Sequence, residues 1–219
     1  MKITWFGQAF FDIQSGAGGM RVITDPYGQG IGYKVPRDLS ADVVTVSHQH
    51  QDHNNVSAIA GHPKILQTSG PSAVKGISFL GVPTFHDAEG GKKRGPNVVF
   101  TFSLDGIRIT HLGDLGHILT PQQVAPLKNT DILLIPVGGT YTLDAGEAIQ
   151  VIEQLQPKMV IPMHYRLPGL IYPLALVDDF LQAVKATTYL SSAHTTLEIA
   201  KSSLPPKTEI FVLAGQQGT

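Results

Sequence analysis

The chain contains no cysteine in 219 residues. That absence removes disulfides, zinc ribbons, iron–sulfur ligation and thiol nucleophiles together, and it leaves His, Asp and Glu as the available metal ligands. It does not fix a redox compartment, because a chain without thiols is indifferent to one. Net charge is equally scarce: 16 basic residues face 17 acidic ones for a formal charge of -1, and charged residues make up only 15% of the chain. Nothing here builds a field that holds a long nucleic acid, so nucleic acid is not an expected partner. No apolar run approaches the length of a membrane span. The opening Met1-Lys2-Ile3-Thr4-Trp5-Phe6-Gly7 lacks the apolar core of a signal segment and reads as a first strand. A soluble, cytoplasmic protein without membrane association is the expectation, with a homo-oligomer left open. Internal repeats and low-complexity segments are absent too. The length suits one domain, residues 1–219, with enough core to need no staples.

What is present is organised in short β-rich runs bounded by Gly, Pro, Asn and Asp. Strands are predicted over 2–6, 10–14, 20–24, 42–47, 64–67, 77–84, 97–103 and 107–111. Leu104-Asp105-Gly106-Ile107 carries the Asp-Gly pair of a tight hairpin. The second half alternates strands with helices. Thr120 as N-cap before Pro121 predicts a helix over 121–127, and Asp144 with Glu147 predicts a capped helix reaching 156. Buried strands are expected over 131–137 and 158–163, a helix over 175–186, and a late strand over 209–213. Two strand-rich stretches interleaved with helices imply an α/β fold of αββα order, with two sheets face to face and helices outside. Loops 25–40 and 87–97, rich in Gly, Pro and charge, are long enough to border a site.

The densest chemistry lies where the apolar run Asp42 to Ser47 gives way to His48-Gln49-His50-Gln51-Asp52-His53. Four potential ligands fall within six residues. Their spacing fits no helical stripe, so a turn must splay them around a pocket, where neutral imidazoles and a carboxylate suit a divalent ion. Further ligands should stand at other strand ends. His86, Asp114 and His164 each follow an apolar strand and are the candidates.

These pieces, in this order, resemble the metallo-β-lactamase superfamily, and within it the small metal-dependent hydrolases related to ascorbate-6-phosphate lactonases. The resemblance rests on Ile3-Thr4-Trp5-Phe6-Gly7, Thr24-Asp25-Pro26, Ser47 to His53, His111-Leu112-Gly113-Asp114, Pro136 to Tyr141 and Ile161 to Tyr165. It implies a four-layer αββα sandwich with the metals at one edge between the sheets. It implies that His48, His50 and His86 hold one metal, that Asp52, His53 and His164 hold a second, and that Asp114 bridges them. Asp25 would accept a proton from a ligand imidazole, or else cap the Asp25-Pro26 turn. Many members of the superfamily carry His where this chain has Gln8, so no metal or substrate role passes to that position.

Two divalent ions about 4 Å apart lower the pKa of a shared water from ~16 toward ~7, and the resulting bridging hydroxide is the expected nucleophile. The expected reaction is hydrolysis of an ester, lactone or phosphate-containing small molecule. Zinc is the expected metal, with Mn2+, Fe2+ or Ni2+ as alternatives. Asp52 is a catalytic candidate as well as a ligand, and His117 is a candidate proton donor to the leaving group, or a capping residue. Tyr141 and Tyr165 are candidates for substrate hydrogen bonds. Lys92, Lys93 and Arg94 are candidates to clamp a phosphate or carboxylate, against the alternative of a solvated run. Ser47 reads as a strand-end residue, His111 as packed beside the site, and His62 and His194 as structural or exposed. Lys185 and the Asp178-Asp179 pair read as a solvated helix face. The rival readings are a nuclease of the same superfamily and a metal-binding protein without hydrolysis.

Overall fold

The structure, a computed structural model, describes residues 1–16, 18–184 and 189–215. β1 (Lys2–Gly7), β2 (Phe10–Gln14) and β3 (Arg21–Thr24) run antiparallel, and β4 (Val43–Thr45) and β5 (Lys64–Leu66) continue in parallel. With β13 (Thr196–Glu198) beside β1, they form among the described residues a six-stranded sheet of order β13-β1-β2-β3-β4-β5.

The second sheet takes β6 (Gly70–Val74), β7 (Ile77–Phe85), β8 (Pro96–Leu104), β9 (Ile107–His111), β10 (Ile132–Pro136), β11 (Met159–Met163), β12 (Tyr189–Ser191) and β14 (Glu209–Val212). Its order is β12-β14-β11-β10-β9-β8-β7-β6, parallel from β12 to β9 and antiparallel beyond. The Asp-Gly turn sits where expected: Leu104 pairs with Ile107, and Asp105 and Gly106 take φ of 51° and 74°.

Side-chain alternation decides what each face buries. Phe11, Ile13, Val22 and Val43 point to the interior between the sheets, where they join Phe79, Phe100, Phe102, Ile109, Ile132 and Leu134. Their neighbours Phe10, Ile23, Val44 and Val46 point outward and pack on Tyr27, Ile31, Tyr33, Leu39 and Ile59. The outer face of the smaller sheet is thus covered by the segment following β3 and by a single 3-10 turn at Val56–Ala58, where sequence reasoning expected helices. Two buried tyrosines and an isoleucine supply enough apolar surface there to replace one. β10 is covered on both faces and buried throughout, so burial of its Ile132, Leu133, Leu134 and Ile135 contributes roughly 1.5–3 kcal/mol per side chain.

Helices α1 (Pro121–Leu127), α2 (Ala145–Leu155) and α3 (Val177–Ala183) flank the larger sheet. Capping boxes start the first two, Thr120 with Gln123 and Asp144 with Glu147. The described part of α3 is shorter than the expected 175–186, and Lys185 lies outside the described residues. Asp178 and Asp179 are exposed on it. Three strands escaped sequence reasoning: β6, whose Gly70-Pro71-Ser72-Ala73 lacks branched residues, and the three-residue β12 and β13. No helix of the described residues is long and apolar enough to cross a membrane.

Asp131 fastens the entry to β10. Its carboxylate accepts the Arg108 N–H at 2.9 Å and pairs with Lys158 at 3.1 Å and Lys201 at 2.5 Å. Burial opposes the charge, yet the Arg108 N–H and the two ammonium groups hold its pKa below the usual 3.8. A depressed carboxylate pKa stabilises the fold above the unfolded value and loses that contribution as pH falls through the folded one. Because both lysines are half exposed, Asp131→Asn is expected to cost only about 1 kcal/mol at pH 7. The gap to wild type should close in denaturant titrations repeated from pH 4 downward; a gap independent of pH would refute this reading.

Candidate metal centre

Every ligand candidate stands just beyond the carboxyl end of a strand. The cluster His48 to His53 follows β4, His86 follows β7, Asp114 lies three residues past β9, and His164 follows β11. Chain geometry there is unusual. Gln8, Asp25 and His164 take φ of 48°, 39° and 53°, which costs about 1 kcal/mol each for a residue with a Cβ. The Gln8 carbonyl accepts the His164 N–H at 3.1 Å and the Trp5 indole N–H at 2.9 Å, locking two strand ends together. Close main-chain approach requires glycine at positions 113 and 138. A Cβ on Gly113, at φ 57°, would meet the Ser47 Cβ at 2.4 Å, and one on Gly138 would meet the His164 carbonyl oxygen at 2.0 Å.

The side chains converge on one atom. Asp114 Oδ2 lies 3.2 Å from Nε2 of His53, His86 and His164, and 3.9 Å from Nε2 of His48. His48 Nε2 stands 3.0 Å from His50 Nδ1, and Asp52 Oδ2 stands 3.4 Å from His53 Nε2 and 4.0 Å from His164 Nε2. Two groups emerge whose donor atoms all lie within 4.8 Å of one another, His48 with His50 and His86, and Asp52 with His53 and His164. They are the two triads the resemblance implies, with Asp114 between them.

A third grouping of Asp25 with His48 and His53 is equally close, but hydrogen bonding tells it apart. Asp25 accepts the Ser47 N–H at 2.7 Å, the Ser47 hydroxyl at 2.5 Å and the His53 Nδ1–H at 3.0 Å. Its oxygens are spent on donors. Ser47 has one proton and gives it to Asp25, so the 2.9 Å contact with His48 must run from His48 Nδ1–H to the Ser47 oxygen. In their neutral forms both imidazoles therefore present a bare Nε2 to the centre. Neutral imidazole nitrogens and carboxylate oxygens then face each other with no proton between them, and His53 Nε2 and Asp114 Oδ1 are buried without a hydrogen-bond partner among the described residues. This donor set fits divalent cations.

Buried charges crowd one another at the centre. Burial and the neighbouring His53 push His48 down to about 3. Burial opposes charge on His53 too, but Asp114 and Asp52 drive its pKa well above the usual 6.5. Burial would raise Asp114; the imidazoles of His164 and His53 hold it well below the carboxylate range instead. Asp52 is likewise lowered against burial by His53.

The centre opens into a cavity of about 390 Å³ lined by His50, Gln51, Asp52, His86, Arg94, Asp114, Tyr141, His164 and Tyr172. Of the candidate substrate contacts, Arg94 and Tyr141 reach it. Lys92 and Lys93 are exposed and do not line it, and Lys93 pairs with Glu89. Tyr165 is buried against Trp5 with its hydroxyl donating to the Leu213 carbonyl at 3.3 Å. His117 is not brought to the cavity either: its ring packs on Phe85, Nε2 accepts the Phe85 N–H at 3.2 Å, and Nδ1 lies 2.8 Å from the Ile118 carbonyl. The backbone occupies both of its nitrogens. His111 is fully buried, with Nε2 donating to the Ala9 carbonyl at 3.0 Å and Nδ1 accepting the Gly113 N–H at 3.2 Å. His62 and His194 are exposed.

Gln8, buried, donates from Nε2 to Asp52 Oδ2 at 3.0 Å and so steadies a candidate ligand. Residue-by-residue reading missed Tyr172, Gln51 and the role of Ser47. The Pro- and Gly-rich stretch 167–173 just after His164 was the signal for Tyr172. It also missed Asp87, whose carboxylate accepts four main-chain N–H groups, from Glu89, Gly91, Lys93 and Arg94, at 2.8–2.9 Å. Burial opposes its charge, but those donors hold Asp87 down to about 2.

Known proteins resemble the chain in sequence and fold. A model of the β-lactamase superfamily domain matches residues 2–164. The chain belongs to the metallo-β-lactamase superfamily. A UPF0173 metal-dependent hydrolase of Archaeoglobus fulgidus is 32% identical, covering 85% of this chain and 91% of its own length. Its counterpart in Pelotomaculum thermopropionicum is 30% identical over 86% of this chain and 93% of its own. A crystal structure from Thermotoga maritima, described as a candidate zinc-dependent hydrolase of the superfamily, superposes with a TM-score of 0.82 at 39% identity over 98% of this chain and 99% of that one.

If Asp25 sets the direction of His53, Asp25→Asn should weaken retention of the ion on the His53 side roughly 10–100-fold, as judged by competition with a chelator. Unaltered retention would show that packing alone orients the imidazole.

Proposed function

We propose that this protein is a binuclear metal-dependent hydrolase of a small ester, lactone or phosphate-containing molecule. The observation that carries the reading is the convergence of four imidazole nitrogens within 3.2–3.9 Å of Asp114 Oδ2, at the floor of a cavity. His48, His50 and His86 would hold one ion, Asp52, His53 and His164 the other, and Asp114 both. Zinc suits this mixture of imidazole and carboxylate donors, with manganese, iron and nickel as alternatives. Two such ions supply Lewis acidity and a hydroxide nucleophile at neutral pH, so no side-chain nucleophile is required.

The residues of the chain do the rest. Asp52 lines the cavity with Oδ2 held by Gln8, which supports its carboxylate as the acceptor of the proton that the attacking water gives up. Tyr172 keeps its phenolic proton, since burial and the Asp52 charge push its pKa up, and it can donate a hydrogen bond to the substrate. The cavity lies at the small end of ligand pockets, and its size supports a small molecule over a nucleic-acid strand.

Alanine at Asp52 or His53 should remove the second ion and most hydrolysis while leaving the fold intact, because the apolar core between the sheets does not run through the site. Metal analysis with lactone and phosphodiester assays checks this, and undiminished turnover in both variants would sink the proposal. Asp114→Asn should weaken retention of both ions, since a neutral amide bridges two cations poorly. Unchanged metal stoichiometry in that variant would remove the bridge from the scheme.

A further inference from the structure

We propose that Arg94 selects substrates bearing a carboxylate or phosphate, held beside the Tyr141 and Tyr172 rings and apart from the bond that is cleaved. The proposal rests on the reading of the cavity as a hydrolase site. Arg94 is the one Lys or Arg among the residues lining that cavity; the remaining ionisable groups are the candidate metal ligands and two tyrosines. Several cations elsewhere have a carboxylate partner, as Arg21 has in Asp12 and as Lys158 and Lys201 have in Asp131. Among the described residues no carboxylate lies within ion-pair distance of Arg94. Of its five N–H donors, one reaches a partner, the Thr140 carbonyl at 3.4 Å.

The guanidinium is nevertheless held in place. Its main-chain N–H is fixed by Asp87 at 2.8 Å, and its planar head lies 5.4 Å from the centroid of the Tyr141 ring. Tyr141 in turn meets Tyr172 edge to face at 6.3 Å. One wall thus offers a preorganised fork of donors, which matches a carboxylate or phosphate in two-point contact, next to aromatic surface for a planar or apolar body. The neighbouring lysines lack both features: they are exposed and outside the cavity. With about 390 Å³ to fill, the substrate is a small amphiphilic anion.

Calorimetric titration of the metal-loaded full-length chain with phenylphosphonate, benzoate and benzyl alcohol tests this, because none of the three is hydrolysed and each has the same ring. Arg94→Gln should weaken at least one of the two anions about tenfold or more, with benzyl alcohol changing less than about twofold, and Arg94→Lys should restore part of the loss. A loss confined to phenylphosphonate identifies a phosphate, and one confined to benzoate a carboxylate. The proposal is overturned if both anions bind Arg94→Gln as they bind wild type, or if benzyl alcohol weakens equally. It is also overturned if neither anion binds wild type in the millimolar range, or if Arg94→Gln loses its ions, since Arg94 would then act through the metal centre. Failure of the hydrolase reading shows in turnover assays and leaves this binding contrast untouched.

Discussion

One buried carboxylate oxygen, Asp114 Oδ2, faces four imidazole nitrogens at 3.2–3.9 Å, and the site depends on that crowding. Lone pairs set against lone pairs repel, and burying a carboxylate costs several kcal/mol unless positive charge is brought to it. The imidazoles of His164 and His53 hold Asp114 below the carboxylate range, and Asp114 and Asp52 in turn push His53 up. Divalent cations set among these atoms would answer all of the contacts. Asp25 matters for the same reason. By taking the His53 Nδ1–H and the Ser47 hydroxyl, it fixes the neutral tautomers of His53 and His48 that turn Nε2 to the centre as an acceptor.

The scaffold holds this arrangement by joining strand ends rather than by covering them. Gln8 and His164 both sit at positive φ, and the hydrogen bond between their main chains ties the first sheet to the second beside the ligands. Gly113 and Gly138 let backbone approach where any Cβ would collide, once with Ser47 and once with His164. Strain of about 1 kcal/mol at each unusual non-glycine residue is tolerable because two sheets with apolar interiors over-determine the positions.

Much of this was legible in the sequence because the signals are local and strong. The periodicity of the strands, the Asp-Gly turn, the capping boxes and the run from His48 to His53 each carry their meaning in a few adjacent residues. So did the positions of His86, Asp114 and His164 at strand ends. What failed was anything decided by direction. His117 lies three residues past Asp114, yet its ring turns to the backbone of Phe85 and Ile118. Tyr165 adjoins His164 but alternates to the opposite side, against Trp5. Lys92, Lys93 and Arg94 look alike as a basic run, and only the fold of their loop separates the one that enters the cavity. The short β12 and β13 lacked a pattern because three residues cannot show a period.

The candidate ligands and the Arg94 wall of the cavity are anchored by different means, and the difference bears on how such a site can change. The ligands sit on strand ends whose neighbours are fixed by side-chain hydrogen bonds and by glycine. The Arg94 loop begins one residue after His86, and Asp87 holds it through main-chain N–H groups of residues 89, 91, 93 and 94. Main-chain donors are indifferent to side-chain identity, so Lys92, Lys93 or Arg94 can be exchanged without loosening His86. Gly91 is the exception, since at φ 83° its Cβ would press on Phe85 at 2.9 Å and on the Gly95 carbonyl at 3.1 Å. The same candidate ligands can therefore stand behind walls of different charge, since the loop that carries Arg94 can vary without moving them.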